Sequence, residues 1–127
     1  MRRSSSIFWV MSAVVAGWMS ACAPPIPSGG FDSPDPASRI YAAVGVAEQF
    51  EKDGIRPDVA TLENLIRLLN SSDPAARLVA GDTLRLVTGV NLGFQASAPL
   101  PERMVATQRW VRWVKALTSP SNPEETA

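Results

Sequence analysis

The side chains that usually carry chemistry are scarce in this chain. It has no histidine and a single cysteine, Cys22. Intrachain disulfides, Cys/His zinc sites and every Ser–His–Asp or Cys–His nucleophile are thereby removed. Acid–base work would fall to carboxylates, Lys52, Lys115, Tyr41 or hydroxyls. A carboxylate pair can hydrolyse glycosides, but it needs a deep cleft, and nothing in the spacing of Glu48, Glu63 and Asp82 raises them above background. No catalytic residue, metal site or cofactor is expected. The chain carries 12 basic and 12 acidic residues. Without Arg2 and Arg3 the balance is 10 against 12, a formal charge of −2, which suits phosphate backbones poorly, so no nucleic-acid partner is expected. Two sets of side chains are better placed for binding than for catalysis: the pairs Asp35/Arg39 and Asp73/Arg77, and the aromatics Phe94, Trp110 and Trp113.

Cys22 has an informative context. Arg2 and Arg3 make a positive start, Ser4 to Ser6 bridge to an apolar run over residues 7–18, and Met19, Ser20 and Ala21 lead into the cysteine. That is the layout of a secretory signal over residues 1–21. The run is short for a membrane span, which needs about 20 predominantly apolar residues, and it stops at Pro24 and Pro25. Residues 19–22 resemble the bacterial lipobox, with methionine where leucine is usual. The resemblance implies cleavage before Cys22, diacylation of its thiol and anchoring of the protein to the membrane through its N-terminal lipid. Several acyl chains on one residue hold durably, where one chain is marginal. Ala23, rather than aspartate, after the cysteine implies an exported lipoprotein of the outer membrane, facing the periplasm.

Residues 22–34 then read as the lipidated cysteine and a Pro/Gly-rich tether. Extended, a dozen such residues reach on the order of 40 Å.

The domain proper is expected over residues 35–118, and an internal copy organises it. The segment DPASRIYA from residue 35 matches DPAARLVA from residue 73 at an offset of 38 residues. Self-similarity at such a period points to helical repeats. Asp35 and Asp73 are suited to cap helices, with Pro36 and Pro74 in the first helical position. Ala37, Ala42, Val46 and Phe50 mark the expected apolar side of the first helix. Val59, Leu62, Leu65, Ile66 and Leu69 follow helical spacing in the second, and Ala76, Ala80, Leu84 and Val87 in the third, which Gly89 stops.

Residues 65–87 resemble a HEAT repeat: an amphipathic helix ending in leucines, an Asp-Pro turn, then an A-R-x-x-A-x-x-x-L helix. The likeness extends over residues 35–89. It implies a short all-α solenoid of helical hairpins in which Asp35, Arg39, Asp73 and Arg77 bond between neighbouring repeats. The same arginines, each near a helix N-terminus, also invite a reading as anion contacts. Gly81 stands where the repeat usually has alanine.

A loop from Val90 leads to a last helix opened by Pro101. There Ala106, Trp110, Trp113, Val114 and Leu117 share one face, while Arg103, Arg109, Arg112 and Lys115 lie largely elsewhere. The run TGVNLGF followed by PERMVATQRWVRW resembles the end segment of small bacterial HEAT-like proteins. Two repeats cannot hide a solenoid's ends, so Trp110 and Trp113 are expected to make this helix a cap, with Leu92 and Phe94 tucked beneath. The other reading leaves an indole exposed as a contact surface. Residues 119–127 read as a disordered tail.

The sequence therefore points to an all-α protein, about four helices closed by a tryptophan-bearing one, held at the cell envelope. The expected role is a non-catalytic scaffold with a protein or peptide partner. The alternative is a module holding a cell-envelope glycan or small anion through the tryptophans and Arg39/Arg77.

Overall fold

A computed structural model describes residues 29–119. The signal region, Cys22 and the end of the tail lie outside the described residues. Within them the chain forms a 3-10 turn, Gly30–Asp32, and four helices: α1 (Pro36–Asp53), α2 (Val59–Leu68), α3 (Pro74–Thr88) and α4 (Leu100–Thr118). No strand occurs among the described residues.

Short-range chemistry sets the helix ends. The Asp35 carboxylate accepts from the N–H groups of Ala37 and Ser38, Asp58 from Thr61, and Asp73 from Ala75. Each satisfies donors that the first helical turn leaves without partners. Pro36 and Pro74 occupy the first turns, as their fixed φ favours. At the other end Gly54 and Gly89 adopt φ of 69° and 70°. This left-handed conformation costs a residue with a Cβ, and it lets the glycine N–H close the last turn onto Phe50 and Arg85. α4 starts differently, from extended Pro99 with no side-chain cap.

Packing runs α1 against α3, α3 against α2, and α2 against α4. α2 is the central element, and its buried set is correspondingly broad: Leu62, Leu65, Ile66 and Leu68, followed by Leu69 in the turn. It presents apolar side chains to two helices, so its stripe is wider than a one-sided helix requires. α3 buries Ala76, Ala80, Leu84 and Val87, the four positions that its period predicts. Its contact with α1 is made by small groups. Ala43 is fully buried, and the Thr83 hydroxyl donates to the Ala43 carbonyl at 3.4 Å.

Three expectations are corrected by this packing. α1 turns Ala43, not Ala42, fully into the core, with Val46 and Phe50 packed beside it; one residue is about 100° of helix rotation. Leu117 is 45 % exposed, although Ala106, Trp110 and Val114 on the same expected face are buried. The end of the expected tether also belongs to the folded unit. Gly30–Asp32 packs on α1, Phe31 lies against the core, and Arg67 reaches Asp32 at 3.2 Å.

Candidate functional site

The two Asp–Arg pairs behave differently from one another. Both aspartates are engaged by the amides of their own helices, so neither carboxylate meets an arginine of the other set. The inter-repeat ladder implied by the HEAT resemblance does not form among the described residues. Arg77 is instead anchored by carbonyls: Nη1 donates to Ser71 at 2.9 Å and to Ser72 at 3.1 Å, and Nε donates to Ala96 at 3.1 Å. Its charge thus sits just past the C-terminus of α2, where exposed carbonyls favour a cation. It also ties the α2–α3 turn to the loop before α4. With those donors occupied, Arg77 is a structural clamp.

Arg39 has no such partners. Its Nε is buried without a hydrogen bond, and its charge is felt by Asp35 one helical turn earlier. The carboxyl of Asp35 lies below the usual range, held there first by the Ser38 hydroxyl, then by the Ser38 backbone N–H. Arg39 lines a cleft of about 400 Å³ together with Phe31, Asp32, Ser33, Arg67 and Ser71. Arg67 was not singled out by the repeat, yet the fold places it beside Arg39 and gives it Asp32 and Asn64 as partners. The local cue that could have flagged this place is a serine two residues before each cap. Ser33 Oγ accepts from the Asp35 N–H and Ser71 Oγ from the Asp73 N–H, each at 3.2 Å. The copy therefore begins at Ser33 and Ser71, two residues earlier than the Asp-Pro match.

The aromatic set divides between core and rim. Trp110 is 1 % exposed, which removes it as a contact platform and makes it the largest fully buried side chain. Trp113 is half-buried. Its ring meets Trp110 edge-on, with centroids 5.6 Å apart and planes at 81°, and the Arg56 guanidinium lies 5.9 Å from its centroid. The α1–α2 loop thus reaches across to α4.

Phe94 is buried against α3. A Cβ on Gly81 would stand 3.0 Å from its Cδ1 atom, so the missing methyl serves the loop rather than a helix–helix contact. The rest of the TGVNLGF run is explained by the same loop. The Val90 N–H donates to Thr88 Oγ1, the Gly93 N–H to Asn91 Oδ1, and Arg109 Nη1 to the Leu92 carbonyl. Beside this loop a groove of about 410 Å³ runs along α3, with Leu78, Gly81, Asp82 and Arg85 on one side and Phe94 on the other. Leu78 and Leu86 are 54 % and 41 % exposed on the same helix. Asp82 and Arg85 form an ion pair between them.

Among the described residues no group of three or more His, Cys, Asp or Glu is placed to hold a metal ion, and no helix is long and apolar enough to cross a membrane. No protein-family model matches the chain, and neither the curated proteins nor the solved structures contain a match.

Proposed function

We propose that this protein is an exported, lipid-anchored envelope module that binds a protein partner without catalysing a reaction. The helix order supports reading it as a short HEAT-like stack. α1 beside α3 and α2 beside α4 make two layers, and the α2–α3 hairpin joins them. In such a stack the next helix of the outer layer would lie against α3. Here that place is taken only in part by the loop carrying Phe94.

The observation that carries the binding reading is the edge of α3. Leu78 and Leu86 stand out on either side of the Asp82–Arg85 pair, next to an apolar groove floored by Gly81 and Phe94. An amphipathic helix of a partner can set its apolar residues at i, i+3, i+4 and i+7 into such a groove. The charged pair at the rim fixes its orientation more than its affinity.

The lipobox-like residues before Cys22 support the anchored address. With Gly30–Asp32 part of the fold, only residues 22–28 separate the acylated cysteine from it, about 23 Å when fully extended. The domain then sits close to the headgroups.

The test is cross-linking of the full chain in intact cells of its own host, followed by affinity recovery, beside Leu78→Asp and Leu86→Asp. A partner recovered with the parent chain and lost with both variants is expected. Recovery that ignores both substitutions, or a chain that cross-links to nothing, would refute the α3 edge as the docking surface.

A further inference from the structure

The cleft between the 3-10 turn, α1, α2 and the α2–α3 turn is built differently from the α3 groove and shares no lining residue with it. Its walls are rich in hydrogen-bond donors. Two guanidinium groups, Arg39 and Arg67, face a space also bounded by Ser33, Ser71, Ser72 and Asn70. Ser33 and Ser71 each use an oxygen lone pair to receive the N–H of the following aspartate, so each hydroxyl keeps its own hydrogen for another acceptor. Arg39 holds a buried Nε with no partner at all. A buried donor left unpaired is costly unless something fills its place. At Arg67 the acceptors are Asn64 Oδ1 and the carboxylate of Asp32, which bonds Arg67 at 3.2 Å while its side chain stays 85 % exposed. An exposed pair of this kind is weak and readily displaced.

We propose that this cleft binds a phosphate-type oxyanion, shared between Arg39 and Arg67 with the serine hydroxyls completing its shell, and that Asp32 occupies the Arg67 end when the ligand is absent. A tetrahedral anion has acceptors on every side, which two guanidiniums and two hydroxyls from different elements can meet at once. Asp35, one turn before Arg39, is held by the Ala37 and Ser38 N–H groups and the Ser38 hydroxyl, and its charge, felt by Arg39, opposes an entering anion and must be outweighed by the two guanidiniums. The oxyanion can be free phosphate or the phosphodiester of a lipid headgroup. The second source suits a cleft bordered by residues 31–33, nine to eleven positions after Cys22. Occupancy of the cleft does not depend on what docks at α3.

The test uses the full chain in neutral detergent micelles and follows the arginine Nε–Hε resonances by NMR. One arm adds sodium phosphate at constant ionic strength; the other dopes the micelles with phosphatidylglycerol, against phosphatidylcholine as control. Saturable shifts at Arg39 and Arg67 are expected in at least one arm. Tighter response to phosphatidylglycerol identifies the headgroup as the source, and equal or tighter response to phosphate identifies the free anion. Arg39→Gln and Arg67→Gln should each weaken the response about tenfold, the worth of one charge-assisted hydrogen bond, while Asp32→Asn should tighten it by removing the competitor. Should either arginine variant fail to fold, Asp32→Asn decides alone: tighter binding upholds the cleft, and unchanged or weaker binding overturns it. Shifts that never saturate in either arm, or an Arg67 response left unchanged in folded Arg39→Gln, also overturn it.

Discussion

At Gly81 two effects oppose one another. Alanine would gain about 1 kcal/mol of helix propensity, but its methyl would meet the Phe94 ring at 3.0 Å. Overpacking of this kind costs about 1–3 kcal/mol, and the ring has little freedom because Arg77 and Arg109 hold the loop on both sides of it. Gly81→Ala is therefore expected to destabilise by about 1 kcal/mol net, measured by urea unfolding. Adding Phe94→Leu should make the alanine less harmful; a stabilised single variant would show that the loop yields freely.

Three aspartates at helix ends set a pH dependence at the same scale. The carboxyl of Asp35 is lowered by the Ser38 hydroxyl and N–H, that of Asp53 by Gln49 and the Ile55 N–H, and that of Asp58 by Thr61. Their ordinary value is 3.8, and a carboxyl depressed in the folded state binds its proton more readily when unfolded. Their contribution is therefore fully present above about pH 4 and lost as the pH falls through the lower folded values. Thermal melts should hold a plateau down to that point and decline below it. Asp73→Ala, which removes a cap from α3, is expected to cost about 1 kcal/mol at neutral pH.

At the scale of elements, α4 carries more of the fold than its start would suggest. It has no side-chain cap, yet it supplies the largest fully buried side chain, Trp110, and packs on α2. Trp110→Ala should cost about 3–5 kcal/mol, and truncation after Gly89 should abolish cooperative unfolding, since the remaining core is small. A truncated chain that still melts sharply would show α4 to be dispensable. Trp113 lies at the rim, where Arg56 covers it. Trp113→Ala is expected to cost clearly less than Trp110→Ala, and a larger loss at Trp113 in denaturant melts would reverse the assignment of core and rim.

For the molecule as a whole, the anchor and the domain make one proposal with one decisive experiment. Expressed in its own host, the chain is expected to start at Cys22 with added acyl mass and to fractionate with membranes, whereas Cys22→Ser is expected to lose both. Intact-mass measurement of the two settles the point. An unacylated parent chain in the soluble fraction would remove the membrane setting but leave the helical domain untouched. On that proposal the seven-residue link (residues 22–28) would keep the domain near the bilayer, so lengthening it should matter more for headgroup contact than for partner binding at α3.

What the sequence determined by itself was local. The starts at Asp35, Asp58 and Asp73, the stops at Gly54 and Gly89, and the buried stripes of α2 and α3 all follow from neighbours three or four positions apart, whose meeting depends only on helix geometry. The four-helix content was legible for that reason, as was Trp110 as core. Tertiary structure alone decided which side of α1's apolar middle, residues 40–47, is inward, since Ala42 and Ala43 differ only by what α3 brings to them. It also decided the fates of the arginines. The repeat makes Arg39 and Arg77 equivalent, but Arg77 finds Ala96 nineteen residues on, while Arg39 is left beside Arg67. Phe94 on Gly81, Arg56 on Trp113 and Asp32 on Arg67 are contacts of the same long-range kind. They depend on how one helix is turned and set against the next, and the interchange of similar apolar contacts leaves that choice open until the whole core is packed.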